Sequence, residues 1–212
     1  MLLKDKVCIV AGAASLRSIG YATAELFVKH GAHVVVTDVM MNDAVLNQIK
    51  FEIEKNLGVS IHVEGIQCDI SQKIECDRLI AQVLSKYGAI DCLVNSAGIV
   101  RSGSILDVSE AELSLMFDIN LKGAFYLCQS VLQVFVKQKS GNIVNVASLA
   151  AQRGGGLVGG AHYAASKGGM LSLTKSIARE FGHLGIRANS ICPAMIDTPM
   201  VDGLSSERLQ SI

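Results

Sequence analysis

The chain has 212 residues, half of them hydrophobic, with a mean hydropathy of +0.40. That length suits one domain with a substantial core, and the apolar balance suits a parallel sheet covered on both faces. Formal net charge is zero, from 19 basic and 19 acidic residues, so no grip on nucleic acid or on a membrane surface is expected. No apolar run approaches the length of a membrane span. The six cysteines (Cys8, Cys68, Cys76, Cys92, Cys128 and Cys192) show neither CxxC nor metal-ligand spacing. They read as free thiols of a reducing, cytoplasmic compartment, with no metal site.

Short β-branched runs alternate with longer helical stretches, the pattern of βαβ units in a doubly wound parallel α/β sheet. A first strand, Val7–Ala11, passes through the small-residue turn Gly12-Ala-Ala-Ser15-Leu-Arg-Ser18 into a helix over Ile19–His30. Backbone N–H groups in such a turn can approach a pyrophosphate, aided by the helix N-terminus, although similar turns also occur as plain structure. The second strand, His33–Thr37, is closed by Asp38. A carboxylate there can bind a ribose diol and repel a 2′-phosphate, or be simply solvated. A helix over Asn42–Leu57 leads to a third strand, Ile61–Cys68, followed by Asp69 and Ile70. Asp69 stands where an adenine amino group needs an acceptor, or where it caps the next helix, Gln72–Tyr87.

The fourth strand, Ile90–Asn95, precedes Ser96-Ala97-Gly98. One long helix is expected over Ser109–Val136, begun by the capping-box pair Ser109 and Glu112. Asn120, in its middle, is a poor helix residue that competes for backbone bonds. Gly31, Gly58, Gly88 and Gly141 are expected to close successive helices as left-handed caps. The fifth strand, Ile143–Ala147, ends at Ser148, and the glycines at 154–156 and 159–160 follow. They read either as a flexible loop beside a binding site or as an ordinary connection. A helix over His162–Gly182 and a strand over Arg187–Cys192 complete the pattern. Tyr163 and Lys167 lie four residues apart, on one face of that helix. A phenol beside a cation is a proton donor with a lowered pKa, suited to carbonyl reduction or alcohol oxidation.

In order, Gly12…Gly20, Asp69, Asn95-Ser-Ala-Gly98, Asn120, Ser148, Tyr163-x-x-x-Lys167 and Pro193…Thr198 resemble the short-chain dehydrogenase/reductase family along essentially the whole chain. The resemblance implies a Rossmann-like sheet, a nicotinamide dinucleotide, and a catalytic group of Asn120, Ser148, Tyr163 and Lys167. It makes Tyr163 the general acid/base and has Lys167 lower the phenol's pKa and hold the nicotinamide ribose. Ser148 would polarise the substrate oxygen, and Asn120 would hold a water relaying protons to Lys167. The implied cofactor residues are Gly12, Ser15, Ser18, Ile19, Gly20, Asp38, Asp69, Ile70, Asn95, Ala97, Gly98, Ile196 and Thr198, with Tyr163 and Lys167.

Several positions depart from the family pattern. The glycine loop is longer than usual, carries Ser18 in place of the middle glycine, and looks like that of enoyl-acyl-carrier-protein reductases. That branch spaces its catalytic Tyr and Lys further apart, so the Tyr163–Lys167 spacing disfavours enoyl reduction. Asp38 favours NAD(H) over NADP(H), whereas Arg17 in the loop could meet a 2′-phosphate. Ala194 replaces the glycine that commonly follows Pro193. Family members usually continue beyond the position of Ile212, through a substrate-covering helix pair and a last strand. The sixth strand is therefore expected at an edge, in a homodimer or homotetramer. The expected substrate is a small ketone or secondary alcohol, either a 3-oxoacyl carrier or a sugar or polyol. The alternative is a truncated, non-catalytic nucleotide-binding or interaction protein.

Overall fold

Strands and helices alternate along the chain: β1 (Val7–Ala11), α1 (Ile19–Lys29), β2 (His33–Asp38), α2 (Asp43–Leu57), β3 (Val63–Gln67), α3 (Lys73–Tyr87) and β4 (Cys92–Asn95). Then come α4 (Glu110–Phe117), α5 (Ala124–Gln138), β5 (Gly141–Val146), α6 (Ala150–Arg153), α7 (Ala161–Phe181) and β6 (Ile186–Ile191). This computed structural model describes residues 1–58, 61–155 and 158–202. Gly156 of the glycine cluster and the Ser205–Ile212 segment lie outside them.

The six strands form one parallel sheet in the order β3-β2-β1-β4-β5-β6. The order reverses between β1 and β4, whose Ala11 and Asn95 are register partners. At such a switch point the connections above the two strands diverge to opposite faces and leave a crevice at the carboxyl ends. Alternation along β1 builds a core on each side. Val7, Ile9 and Ala11 pack with Leu79 of α3, Val131 of α5 and Ile177 of α7. Cys8 and Val10 pack with Ala24 of α1 and Ile49 and Ile53 of α2. All five residues of β1 are buried, as a central strand between two helical layers requires. Among the described residues β6 pairs only with β5, and no helix is long and apolar enough to cross a membrane.

Three local expectations are corrected. The strand expected at Ile61–Cys68 is confined to Val63–Gln67. The long helix is not regular: a π-helical turn, Asp118–Gly123, separates α4 from α5. Asn120 lies in that turn, fully buried, and π-turns in α-helices are often placed at functional sites. Gly31, Gly58 and Gly88 do have positive φ, but the left-handed residue ending α5 is Lys139 (φ 54°), not Gly141. Gly141 is a glycine for another reason: a Cβ there would overlap the Phe135 ring. The capping box is half made. Ser109 Oγ accepts from Glu112 N–H at 3.2 Å, while the Glu112 carboxylate lies 3.4 Å from His162 Nε2 on α7.

Candidate active site

A cavity of about 1040 Å³ opens over the carboxyl ends of the strands, just above the range for small-molecule sites, ~300–1,000 Å³. It runs from Asp38 at the end of β2, past the turns after β1 and β4, to Ser148, Tyr163 and Lys167. The turn after β1 is set by Gly12, whose φ is +80°. A Cβ there would lie 2.5 Å from the Ala97 nitrogen, so glycine lets the two switch-point turns touch. A Cβ on Gly20 would overlap the Gly12 carbonyl, so Gly20 seats α1 directly on that turn. Ser18 caps α1, its hydroxyl accepting from Tyr21 N–H at 2.9 Å. The N–H groups of Ile19 and Gly20 then have no acceptor within the helix.

The Asp38 carboxylate is held in place from two sides. Oδ2 accepts from Ala14 N–H at 3.2 Å, and Oδ1 accepts from Met40 N–H at 3.0 Å. Asp69 Oδ1 accepts from Ser71 N–H at 2.9 Å, bending the chain toward α3. Asp69 thus closes a local turn and also lines the cavity beside Ile70. Arg17 is absent from the lining. Its guanidinium pairs with Asp197 at 2.6 Å and Asp202 at 3.0 Å, so the expected meeting with a 2′-phosphate has no support here.

At the other end, Ser148 follows β5 and its Oγ accepts from Ala150 N–H at 3.1 Å, starting α6. Tyr163 and Lys167 stand one turn apart in α7, both buried. Lys167 Nζ donates to the Val146 carbonyl at 2.8 Å, tying α7 to the end of β5. Asn120 Oδ1 accepts from Ile99 N–H at 2.8 Å, and its Nδ2 donates to the Ile99 carbonyl at 2.9 Å and Ser166 Oγ at 3.2 Å. Ser166 Oγ in turn donates to the Tyr163 carbonyl at 2.7 Å. Asn120 therefore links the turn after β4 to α7 at Ser166 and makes no hydrogen bond to Lys167. Gly98 brings them close: a Cβ there would lie 2.9 Å from Asn120 Oδ1 and 3.3 Å from Lys167 Nζ.

The cavity therefore offers a fixed carboxylate at one end, a helix N-terminus in the middle, and a phenol with an ammonium at the other. That donor set fits a dinucleotide laid across the switch point. Residues 12–211 match the family model described as enoyl-(acyl carrier protein) reductase. An uncharacterized short-chain type dehydrogenase/reductase of Sinorhizobium fredii is 38% identical over 208 residues, covering 98% of this chain and 81% of that protein. The chain belongs to the short-chain dehydrogenase/reductase family. The 3-oxoacyl-[acyl-carrier-protein] reductase FabG of Thermotoga maritima is 36% identical over 204 residues, which are 96% of this chain and 79% of that one. A solved structure of NAD+-bound xylitol dehydrogenase superposes with a TM-score of 0.82 at 29% identity, covering 92% of this chain and 72% of that one. Members of the family bind NAD(H) or NADP(H), and the relatives support an oxidoreductase acting on CH–OH or carbonyl groups.

Of the family residues named from sequence, Gly20, Asn95 and Asn120 lie behind the cavity wall and the others line it. Asn95 is fully buried; its Oδ1 accepts from Ala97 N–H at 3.3 Å, and its Nδ2 has no partner among the described residues. Two supporting residues carried no sequence signal strong enough to single them out. Ser166 is an ordinary small helix residue until Asn120 is seen to bond it. Gly159 belongs to a glycine cluster open to either reading, yet a Cβ there would overlap the Tyr163 ring.

The electrostatics differ from expectation. Burial raises the Tyr163 pKa above its ordinary value, and the Ser148 hydroxyl opposes that shift only in part. Burial acts on Lys167 as well, pushing its pKa down to about 8. A lysine whose folded pKa lies below its unfolded value of 10.5 binds fewer protons when folded, across the window from about 8 to 10.5. Stability therefore rises with pH through that window, by up to about 1.4 kcal/mol per unit. Urea denaturation at pH 8 and pH 9.5 should show this rise, and Lys167→Met should remove it. An equal rise in the variant would contradict the assignment.

Proposed function

We propose that the chain is an NAD(H)-dependent reductase of ketones, or dehydrogenase of secondary alcohols, with Tyr163 as general acid/base. The observation that carries this reading is the convergence of Ser148, Tyr163 and Lys167 on one cavity that continues, across the switch point, to Asp38. The nicotinamide, when bound, supplies or accepts the hydride at carbon. The raised Tyr163 pKa keeps the phenol protonated near neutral pH, which is the form that donates a proton to a developing alkoxide. Ser148 is placed to hydrogen-bond the same oxygen, stabilising its charge. Lys167, still largely protonated at neutral pH, is the nearby cation that favours phenolate when alcohol oxidation removes the proton. Asn120 positions the group through Ser166 and the turn after β4. A proton relay through Asn120 is not needed for this reading.

Asp38 supports NAD(H), since its carboxylate, held by Ala14 and Met40, would face a 2′-phosphate with like charge. Arg17, engaged with Asp197 and Asp202, offers that phosphate no free counter-charge. NADH is expected to bind at least about tenfold more tightly than NADPH, a difference of about 1.4 kcal/mol. Asp38→Asn should narrow that gap. Equal or reversed affinities in a fluorescence titration of the unmodified protein would overturn the cofactor choice.

The reading includes a homodimer or homotetramer, for which the exposed Leu113, Leu115 and Phe125 on α4 and α5 offer apolar surface. It also includes a cytoplasmic location, which suits six free cysteines. The substrate classes in view remain a 3-oxoacyl carrier and a sugar or polyol.

A further inference from the structure

Only two cationic side chains among the described residues line the cavity: Lys167, buried at its centre, and Arg153. Arg153 is exposed and ends α6, five residues beyond Ser148. At about 1.5 Å of helical rise per residue, its Cα stands roughly 7 Å along the wall from Ser148. No carboxylate of the described residues pairs with it. Two cations outside the lining are engaged: Arg17 with Asp197 and Asp202, Lys122 with Asp118. Three acids of the described residues line the cavity: Asp118, paired with Lys122, and Asp38 and Asp69, which follow β2 and β3, on the far side of β1 and β4 from Ser148. Asp38 and Asp69 thus make the β2–β3 end acidic, while Arg153 stands on the β5 side.

The stem that carries Arg153 is fixed. Arg153 N–H donates to the Leu149 carbonyl at 3.0 Å, and Gly154 N–H to that of Ala150 at 2.9 Å. A Cβ on Gly155 would overlap the Gly159 carbonyl, so the chain closes on itself just before Tyr163. Leu149, Val158, Met195 and Met200 add apolar surface to the lining. A lone guanidinium at the edge of an apolar pocket selects a planar anion, because it offers two parallel N–H donors where water is sparse.

We propose that Arg153 makes the site selective for oxo acids and hydroxy acids, in which a carboxylate lies a few bonds from the reacting carbon. This rests on the ketone/alcohol chemistry proposed above. The test uses NADH with 3-oxobutanoate, 4-oxopentanoate and 5-oxohexanoate, each against its methyl ester. Acetoacetyl-CoA against the uncharged acetoacetyl-N-acetylcysteamine tests a phosphate as the anion instead. At least one acid should exceed its ester by roughly ten- to hundredfold in kcat/KM, the range of a charge-assisted hydrogen bond. Arg153→Gln should collapse that ratio toward one by raising KM for the acid. The proposal is overturned by acids and esters reduced alike, by a preference that survives in Arg153→Gln, or by an Arg153-dependent preference confined to the CoA thioester. It is also overturned if NADH binding weakens in Arg153→Gln, which would place the guanidinium on the cofactor. Reduction of acids and esters alike sinks this inference alone; no reduction of any compound sinks the parent reading with it.

Discussion

Replacing Tyr163 by phenylalanine is expected to lower turnover about 10³-fold or more, within the range for loss of a general acid/base, 10²–10⁴. The change removes one oxygen from a ring that is 8% exposed and packed against Gly159. Packing is thereby kept, and the protein should melt close to the unmodified chain. NADH affinity should change by no more than about twofold, because dinucleotide binding draws on the turns after β1, β2 and β4. The separation matters: a variant that loses binding as well as turnover would show that the phenol holds the cofactor rather than moves a proton. A variant that keeps most of its activity would remove Tyr163 from the chemistry.

The second large effect should come from a residue with no functional group. Gly159 has an ordinary φ, so alanine meets no backbone objection there; the obstacle is the Tyr163 ring, which its Cβ would overlap. Gly159→Ala must displace either the ring or the loop by a distance on the order of 1 Å. Misplacement on that scale costs about 10²-fold in rate. The expected result is a kcat lowered about 100-fold, NADH affinity retained, and a stability loss of about 1–3 kcal/mol from overpacking. Gly182→Ala is the control, since a Cβ there meets nothing within 4 Å; it should change stability by less than about 1 kcal/mol and leave kcat alone. Full activity in Gly159→Ala would mean that the ring tolerates displacement, and the tight seating of Tyr163 would lose its meaning.

Much of this architecture was legible in the residues. Fully apolar runs such as Val7–Ala11 mark central strands, and Asp38 and Ser148 can be placed at strand ends by counting. What stayed hidden depends on contacts rather than on periodicity. A π-turn adds one residue to a helical turn, and the apolar spacing around Asn120 hardly registers it; Asn120 makes its bidentate bond to Ile99 from within that turn. Gly141 looks like a helix cap, but a glycine required by positive φ and one required by a neighbouring ring are the same letter. Lys139 takes the left-handed position instead. The Tyr163–Lys167 spacing predicts a cation lowering a phenol's pKa. In the folded chain burial acts on both groups first, lifting the phenol and lowering the ammonium. Burial is set by the whole fold, so a four-residue spacing could not report it. Arg153 shows the same limit: its significance comes from being, among the described residues, a lining cation that no carboxylate pairs, which only the assembled cavity reveals.

The most direct test of the central claim follows the hydride itself. NADH or NADPH carrying deuterium on both positions of nicotinamide C4 is incubated with the protein and a panel of oxo acids, their esters, 3-oxoacyl thioesters, ketoses and an enoyl thioester, and the products are weighed by mass spectrometry. The account predicts an alcohol with one deuterium on the former carbonyl carbon, formed by the unmodified protein and lost to background in Tyr163→Phe. The contradicting result is deuterium delivered from NADH or NADPH to no carbonyl of the panel, or delivered instead across the carbon–carbon double bond of an enoyl thioester.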